Sequence, residues 1–550
     1  MTLHARDWFS VPAETARVAH AAFRKGNVYM AVRDKLDFWY KDSDYACLFV
    51  VNEGHPAESP ARLNMILIVQ FAEGLSDGQA AEAVRSRIDL KCLLGLPLED
   101  AGFDFSVLSE YRARLIAGGA ETQLLEDLLL HFRELGLVKE RGRQRTDSTH
   151  VLAAIRQMNR LERVGETLRA ALNALAAAAP DWLRQQVTPD WFDLYGPRFE
   201  QYRLPKKKAE QENLAKTIGA DGYHLLSAVY DASAPAWLRE VPAVEILRQA
   251  WIQQYYLQEE RVYWRTEKDS PPSSLTIQSP YDTEARNRTK RDLNWTGYGA
   301  HLTETCDQDL PNLITDVQTT PATTSDVAMT GTIHSFLAEK GLVPEEHYVD
   351  SGYMDADLLV TSHEQHGIDL CGPVMPDTSW QGRDGSGFDM ACFAIDWEAQ
   401  RVTCPEGQTS QRWRARQNTE GKDIIVIRFA SAVCQACAQR KQCTKAKSEG
   451  RGLTFRPQAQ YTALQGARQR QAGLEFKERY RRRAGIEGTI SQGTRSFELR
   501  RTRYIGLKKT HLQHVLTAAA INLTRAVSWM EHIPKTATRR SQFQRLALAA

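Results

Sequence analysis

The 550-residue sequence contains no apolar run approaching the ~18 residues that a bilayer-spanning helix requires, so no membrane partner is expected. Its first twenty residues lack a basic start followed by an apolar stretch, which argues against a secretory leader. Cysteine is sparse: nine residues, an odd number, unevenly spread. That argues against a disulfide framework and for a reducing cytoplasm. No low-complexity tract and no fixed-period repeat is present. Net charge is nearly absent as well, at +2. A polyanion is therefore an expected partner only if the positive charge is gathered in one place.

What is present suits a globular chain, with 42% hydrophobic and 25% charged residues. The length predicts roughly two to four domains.

Positive charge is indeed gathered, in "EFKERYRRRAGIEGTISQGTRSFELRRTRYIGLKK", residues 475–509. Eleven Lys and Arg stand against three Glu between Lys477 and Lys509. The first part of this stretch reads as a helix. Tyr480, Arg483 and Glu487, three and four apart, would share one face of it. A lone carboxylate on a phosphate-facing basic surface is unfavourable unless something cationic uses it, and a divalent ion is the natural candidate. A solvated basic helix with an incidental Glu is the plain alternative.

Upstream, residues 61–135 read as helices. Ser76 and Gln79 have capping-box spacing at the start of one of them. Residues 140–152, "ERGRQRTDSTHVL", pass from a basic linker into a strand over 145–152 that carries Asp147. Residues 155–260 return to helix. Pro180 should end the first long helix, and "VEILRQAWIQQYYLQEERVYW" reads as a second. "WTGYGAHLTET" and "PNLITDVQTTPA" read as paired strands, and Ser325 or Asp326 should cap the next helix. "EEHYVDSGYMDADLLV" predicts a short strand ending at Asp350, a glycine turn and a helix. Residues 370–460 form an insert rich in Gly, Trp and Cys. "HLQHVLTAAAINLTRAV" reads as an amphipathic to fully apolar helix docked on the sheet.

Three carboxylates, Asp147, Asp350 and Glu487, could converge from two strands and a helix to hold two Mg²⁺ or Mn²⁺ ions for phosphodiester chemistry. Each also has a structural use. Asp147 can cap a turn with Ser148 and Thr149, and Asp350 can cap the turn that follows it. Asp316, Asp355 and Asp357 are rival acids.

"RTDSTHV", "YVDSGYMDADLL" and "YRRRAGIEGTISQGTRS" resemble, in order, the three catalytic blocks of bacterial insertion-sequence DDE transposases. "SPYDTEARNRTKRDLNWTGYGAHLTET" and "RTRYIGLKKTHLQHVLTAAAINLTR" resemble the segments after the first and third blocks. Residues 61–115 resemble the N-terminal helical domain often joined to such enzymes. The resemblance implies an α/β, RNase H-like mixed sheet with flanking helices. It implies an all-helical N-terminal DNA-binding domain over 1–140 and a catalytic domain split between 141–369 and 461–532. A helical insertion near 155–265, a Cys-containing insertion over 370–460 and a basic tail over 533–550 complete the layout.

The same resemblance makes Asp147, Asp350 and Glu487 the metal-binding acids, with Tyr480 and Arg483 as the Tyr and Arg that precede the family's Glu. The family commonly has a basic residue seven positions after the Glu. Here that position is Thr494, and Arg495 comes one place later. Arg495, Arg500, Arg501, Arg503, Lys508 and Lys509 would line the DNA path.

Cys404, Cys434, Cys437 and Cys443 have a composition suited to a tetrahedral zinc site, although a 29-residue loop follows the first and five residues precede the last; a metal-free reduced cluster is the alternative. Cys47, Cys92, Cys306, Cys371 and Cys392 read as ordinary buried thiols, and His150 and His301 as packing residues.

The expected activity is transposition: hydrolysis and strand transfer at inverted-repeat element ends, by a homodimer on DNA, in the cytoplasm and at the nucleoid. Two alternatives stand beside it. One is a non-catalytic DNA-binding protein descended from a transposase; the other is an RNase H-like nuclease that cuts without joining.

Overall fold

A computed structural model describes residues 2–50, 54–384, 388–534 and 543. The centre is a curled, mixed six-stranded sheet. Its strands are β1 (Arg143–Leu152), β2 (Arg286–Lys290), β3 (Leu293–Thr305), β4 (Ile314–Pro321), β5 (Glu346–Tyr348) and β6 (Asp369–Cys371). β3 lies antiparallel to β1, with Asp147 opposite Leu302. β4 lies antiparallel to β3, and β2 pairs with the first residues of β3. β5 runs parallel to β1, and β6 parallel to β5. Helices Asp326–Glu339 and Ala356–His366 make the two crossovers that these parallel pairs require. The order β4–β3–β1–β5–β6 is RNase H-like, with helical regions attached to it.

The final helix, Leu507–Met530, is buried along most of its length, apolar side chains and polar ones such as Gln513, His514 and Asn522 alike. It packs on β4 and on helices Pro60–Glu73 and Gln123–Glu134. Asn522 both accepts from the Ile314 N–H and donates to its carbonyl, at 2.7 and 2.8 Å. That side chain gives the buried end of β4 the backbone partner it would otherwise lack.

The helices expected over 61–135 are present, preceded by Ala13–Ala22 and Val28–Leu36, and Ser76 and Gln79 make both bonds of the capping box. The buried side chains of these helices form one continuous cluster with those of the sheet and final helix. Residues 160–264 have a separate core centred on Leu168, Leu225 and Trp251. Pro180 opens a short helix directly after Arg160–Ala178 ends. The second long helix is Lys208–Tyr230, not the stretch expected after Pro242. That stretch is helical only to Gln254, then turns into a hairpin, Tyr255–Gln258 with Arg261–Trp264. Glu259 and Glu260 take positive φ at its turn, and the β-favouring run of Tyr, Val and Trp outweighs the helical pattern.

The Cys-containing insert carries a three-stranded antiparallel sheet, Arg412–Gln417, Asp423–Arg428 and Gly452–Phe455, over a small core of Phe393, Val402, Ile427, Phe429, Leu453 and Phe455. Of the five thiols expected to be buried, Cys92, Cys306 and Cys371 are, but Cys47 and Cys392 are exposed. Both lie in short 3₁₀ segments at the surface rather than on a core-facing helix or strand. The basic tail falls largely outside the described residues.

Candidate active site

Alternate side chains of a strand share a face. On β1 these are Arg145, Asp147 and Thr149, and each meets the basic stretch expected to be catalytic. Arg145 Nη1 donates to the Arg482 carbonyl at 2.5 Å. Asp147 Oδ2 accepts from Arg483 at 2.5 Å. Thr149 Oγ1 accepts from Arg500 at 2.8 Å. Residues 500–502 then pair with Leu152 through backbone bonds, which fastens this segment along the end of the strand.

Asp147, Asp350 and Glu487 are brought together around Arg483. Its guanidinium lies 2.5 Å from Asp147, 3.1 Å from Glu487 and 3.9 Å from Asp350. Burial opposes the charge on Arg483, but Asp147, Tyr480, Asp350 and Glu487 together hold its pKa above the ordinary value. Burial pushes the Asp147 carboxyl up, although Arg483 and the Ser148 N–H pull it down. Among the described residues no group of three or more His, Cys, Asp or Glu side chains stands in metal-holding geometry. At the three acids, the cation they share is Arg483.

The acids are positioned differently from expectation. Asp350 is not on a strand: β5 ends at Tyr348, and Asp350 caps the following 3₁₀ turn by accepting from the Gly352 N–H at 2.8 Å. Tyr480, Arg483 and Glu487 do not share one regular helix. They lie in succession at the end of Leu474–Tyr480, in the 3₁₀ segment Arg481–Ala484, and in Gly485–Ser496. Two consecutive breaks in the 3.6-residue period bring Arg483 inward while Glu487 stays exposed.

A buried network fixes this geometry. Glu304 on β3 is inaccessible to solvent, and its carboxylate binds Arg145 at 2.6 Å, Arg525 at 2.8 Å and the Thr489 hydroxyl at 2.6 Å. Thr489 is on the Glu487 helix, so Glu304 ties that helix to β1 and to the final helix. The helix approaches so closely that a Cβ on Gly485 would stand 2.0 Å from Arg145 Nη1.

Two of the three rival acids, Asp316 and Asp355, are otherwise engaged. Asp316 is fully buried and paired with Lys340 at 2.7 Å. Asp355 pairs with Lys422 and, at 3.6 Å, with Arg456, which holds its pKa below the ordinary range despite burial. Both cations belong to the Cys-containing insert, so Asp355 anchors that insert beside Asp350. One acid escaped the sequence reading as a site residue. Asp326, expected only as a helix cap, accepts from Ser148 Oγ at 2.9 Å beside Asp147 and pairs with Lys290 at 3.5 Å. Sequence spacing carries no signal for it, because its neighbours come from β1 and β2.

Tyr480 stacks on Phe476 with ring centroids 5.5 Å apart, and burial raises its hydroxyl to about 12. Arg495, Arg501, Lys508 and Lys509 are exposed. Arg503 is committed inward: it donates to the Leu75 carbonyl at 2.9 Å and lies over the Phe71 ring at 5.1 Å. His301 is buried against the Tyr353 hydroxyl at 2.6 Å, and burial lowers its pKa to about 4. His150 packs near Trp295.

Cys404, Cys434, Cys437 and Cys443 line one cavity of the insert, with Phe388 and Phe429. Two of the sulfurs accept backbone N–H groups at 3.4 Å, Cys404 from Gln408 and Cys434 from Arg451.

Residues 403–527 match the family model described as Transposase DDE domain, and residues 17–114 match that described as Transposase domain (DUF772). The first match contains Glu487 and the four cysteines; Asp147 and Asp350 lie outside it. Two transposase matches in this order support an insertion-sequence DDE transposase with its N-terminal domain. No curated protein and no solved structure gives a match to the chain.

Proposed function

We propose that the protein hydrolyses a phosphodiester at the inverted-repeat ends of its element and joins the freed 3′-hydroxyl to target DNA. The observation that supports this is the convergence of Asp147, Asp350 and Glu487 on one guanidinium, although Asp147 and Arg483 are 336 residues apart. Three carboxylates already gathered around a cation are the hard-oxygen donor set that Mg²⁺ or Mn²⁺ takes. These three would hold the ions. Bound there, divalent ions supply Lewis acidity that activates the attacking oxygen and stabilises the leaving one.

The chain's own groups do the rest. Arg483 and Tyr480 face the acids and orient the phosphate to be cut. Arg495, Arg500, Arg501, Lys508 and Lys509 carry the DNA backbone to them. Residues 1–140 bind DNA, 141–369 with 461–532 form the catalytic domain, and 155–265, 370–460 and 533–550 are the two insertions and the tail. Two element ends call for a homodimer on DNA.

A strand-transfer assay with Mg²⁺ or Mn²⁺ on element-end DNA tests the assignment. Full activity in Asp147→Ala or Glu487→Ala protein would overturn it. Hydrolysis without joined product would leave a nuclease, and DNA binding without either product a non-catalytic relative.

The four cysteines are proposed to hold a structural zinc ion. They face a common cavity, and N–H groups already point at two of the sulfurs. Six buried apolar side chains form a small core, the situation in which a metal staple stabilises a module. Elemental analysis of the purified protein tests this, and lack of stoichiometric zinc removes it.

A further inference from the structure

In the Cys-containing insert, strand Arg412–Gln417 is at the edge of its sheet. Its inner face places Trp413 and Ala415 opposite Ile427 and Ile425. The outer face carries Arg412, Arg414 and Arg416, all exposed. None of the three has an acidic partner among the described residues, whereas Arg428, opposite Arg412, is paired with Glu449. Alternation on a strand roots such side chains about 6.8 Å apart, so the stripe is three unneutralised arginines rooted in a line.

The stripe is also anchored. The turn after Gln417 leads to Lys422, whose ammonium binds Asp355, and Arg456 just beyond the third strand of the same sheet reaches Asp355 as well. Asp355 is five residues from Asp350. The Arg416 end of the stripe is thus tied to the acidic site, and the Arg412 end runs away from it.

We propose that Arg412, Arg414 and Arg416 form a track for the phosphate backbone of DNA extending from the candidate active site, beyond the residues that the transposase reading assigns. The proposal rests on that reading. Line charge is what fits the stripe: a duplex presents a regular row of phosphates, and guanidinium groups bind phosphate oxygens bidentately. Such contacts position DNA without reading its sequence.

The full-length Arg412→Gln/Arg414→Gln/Arg416→Gln protein tests this in equilibrium binding to element-end duplex over a salt series. Each phosphate contact contributes about 0.9 to the slope of log K against log salt, so the triple variant should be shallower than wild type by roughly 2–3. Its affinity should fall about equally for element-end and unrelated duplexes. A control variant, Lys206→Gln/Lys208→Gln/Lys216→Gln, removes three exposed charges from the helical insertion and should keep the wild-type slope. An unchanged slope in the arginine variant overturns the track, as does an equal loss in the control. Charge can also merely protect an edge strand from pairing. In that case the arginine variant aggregates while its soluble fraction keeps the wild-type slope, which likewise overturns the proposal. Absence of salt-dependent binding by wild-type protein would instead sink the transposase reading itself.

Discussion

Arg483 lies 2.5 Å from Asp147, and its other terminal nitrogen is 3.1 Å from Glu487. One guanidinium therefore holds the first and third candidate acids of a single site, with Asp350 at 3.9 Å. Neutralising an acid here removes a negative charge from the site but leaves its shape. Asp147→Asn and Glu487→Gln should each lower strand transfer by about 100-fold or more, the scale on which an aligned electrostatic group acts. Unfolding temperature should stay near wild type. Activity measured alongside thermal unfolding checks both halves.

Removing Arg483 acts differently. Arg483 pulls down the pKa of Asp147, which burial has raised. Arg483→Ala takes away that pull, so Asp147 should take its proton at higher pH than in wild type. The acidic limb of the activity profile should then move toward neutral pH. A profile that only drops, without moving, would show that Arg483 does not control the ionisation of Asp147.

Glu304 holds β1, the Glu487 helix and the final helix together. Glu304→Ala leaves Arg145 and Arg525 facing each other across a buried gap, a loss of about 3–5 kcal/mol for such a pair broken from one side. Thr489→Val removes one hydrogen bond from the same carboxylate and should cost about 1–3 kcal/mol. Urea denaturation of the two variants would establish the order.

Gly485→Ala addresses placement rather than ionisation. The new Cβ would stand 2.0 Å from Arg145 Nη1, and Arg145 is held by Glu304 and by the Arg482 carbonyl. The helix must shift, so strand transfer should fall at least 10-fold, as small misplacements of reacting groups do (roughly 100-fold for 1 Å). Far-ultraviolet circular dichroism should be unchanged, because alanine favours helix.

In the N-terminal helices, burial raises Asp127 to about 6 from 3.8, against the lowering effect of its hydrogen bond from Tyr45. A carboxyl with a raised folded pKa binds its proton more tightly when folded. Its contribution to stability is complete below about 3.8 and is lost as pH rises through about 6. Asp127→Asn should flatten the stability profile in that window, which denaturation midpoints between pH 4 and 7 would show.

Much of the fold was legible because periodicity is local. The β1 strand with Asp147, the β3–β4 pair, the capping box at Ser76 and the buried terminal helix each follow from residues within a dozen positions of one another. The hairpin after Gln254 was missed because a short run of Tyr, Val and Trp fits both periods. The strand expected to end at Asp350 stops two residues sooner, at Tyr348, because strand ends depend on which neighbour is there to pair.

By itself, the sequence determined which acids are candidates, where the basic charge is concentrated and which four cysteines group together, since type and spacing carry that information. Only the tertiary structure decided that Arg483 faces all three acids, that Asp355 and Asp316 are held by lysines, and that Asp326 stands beside Asp147. The physical reason is that each of these facts is a distance between segments far apart in the chain. Such distances are set by how β1, β3 and the Gly485–Ser496 helix pack around buried Glu304, and no local pattern of residues encodes that packing.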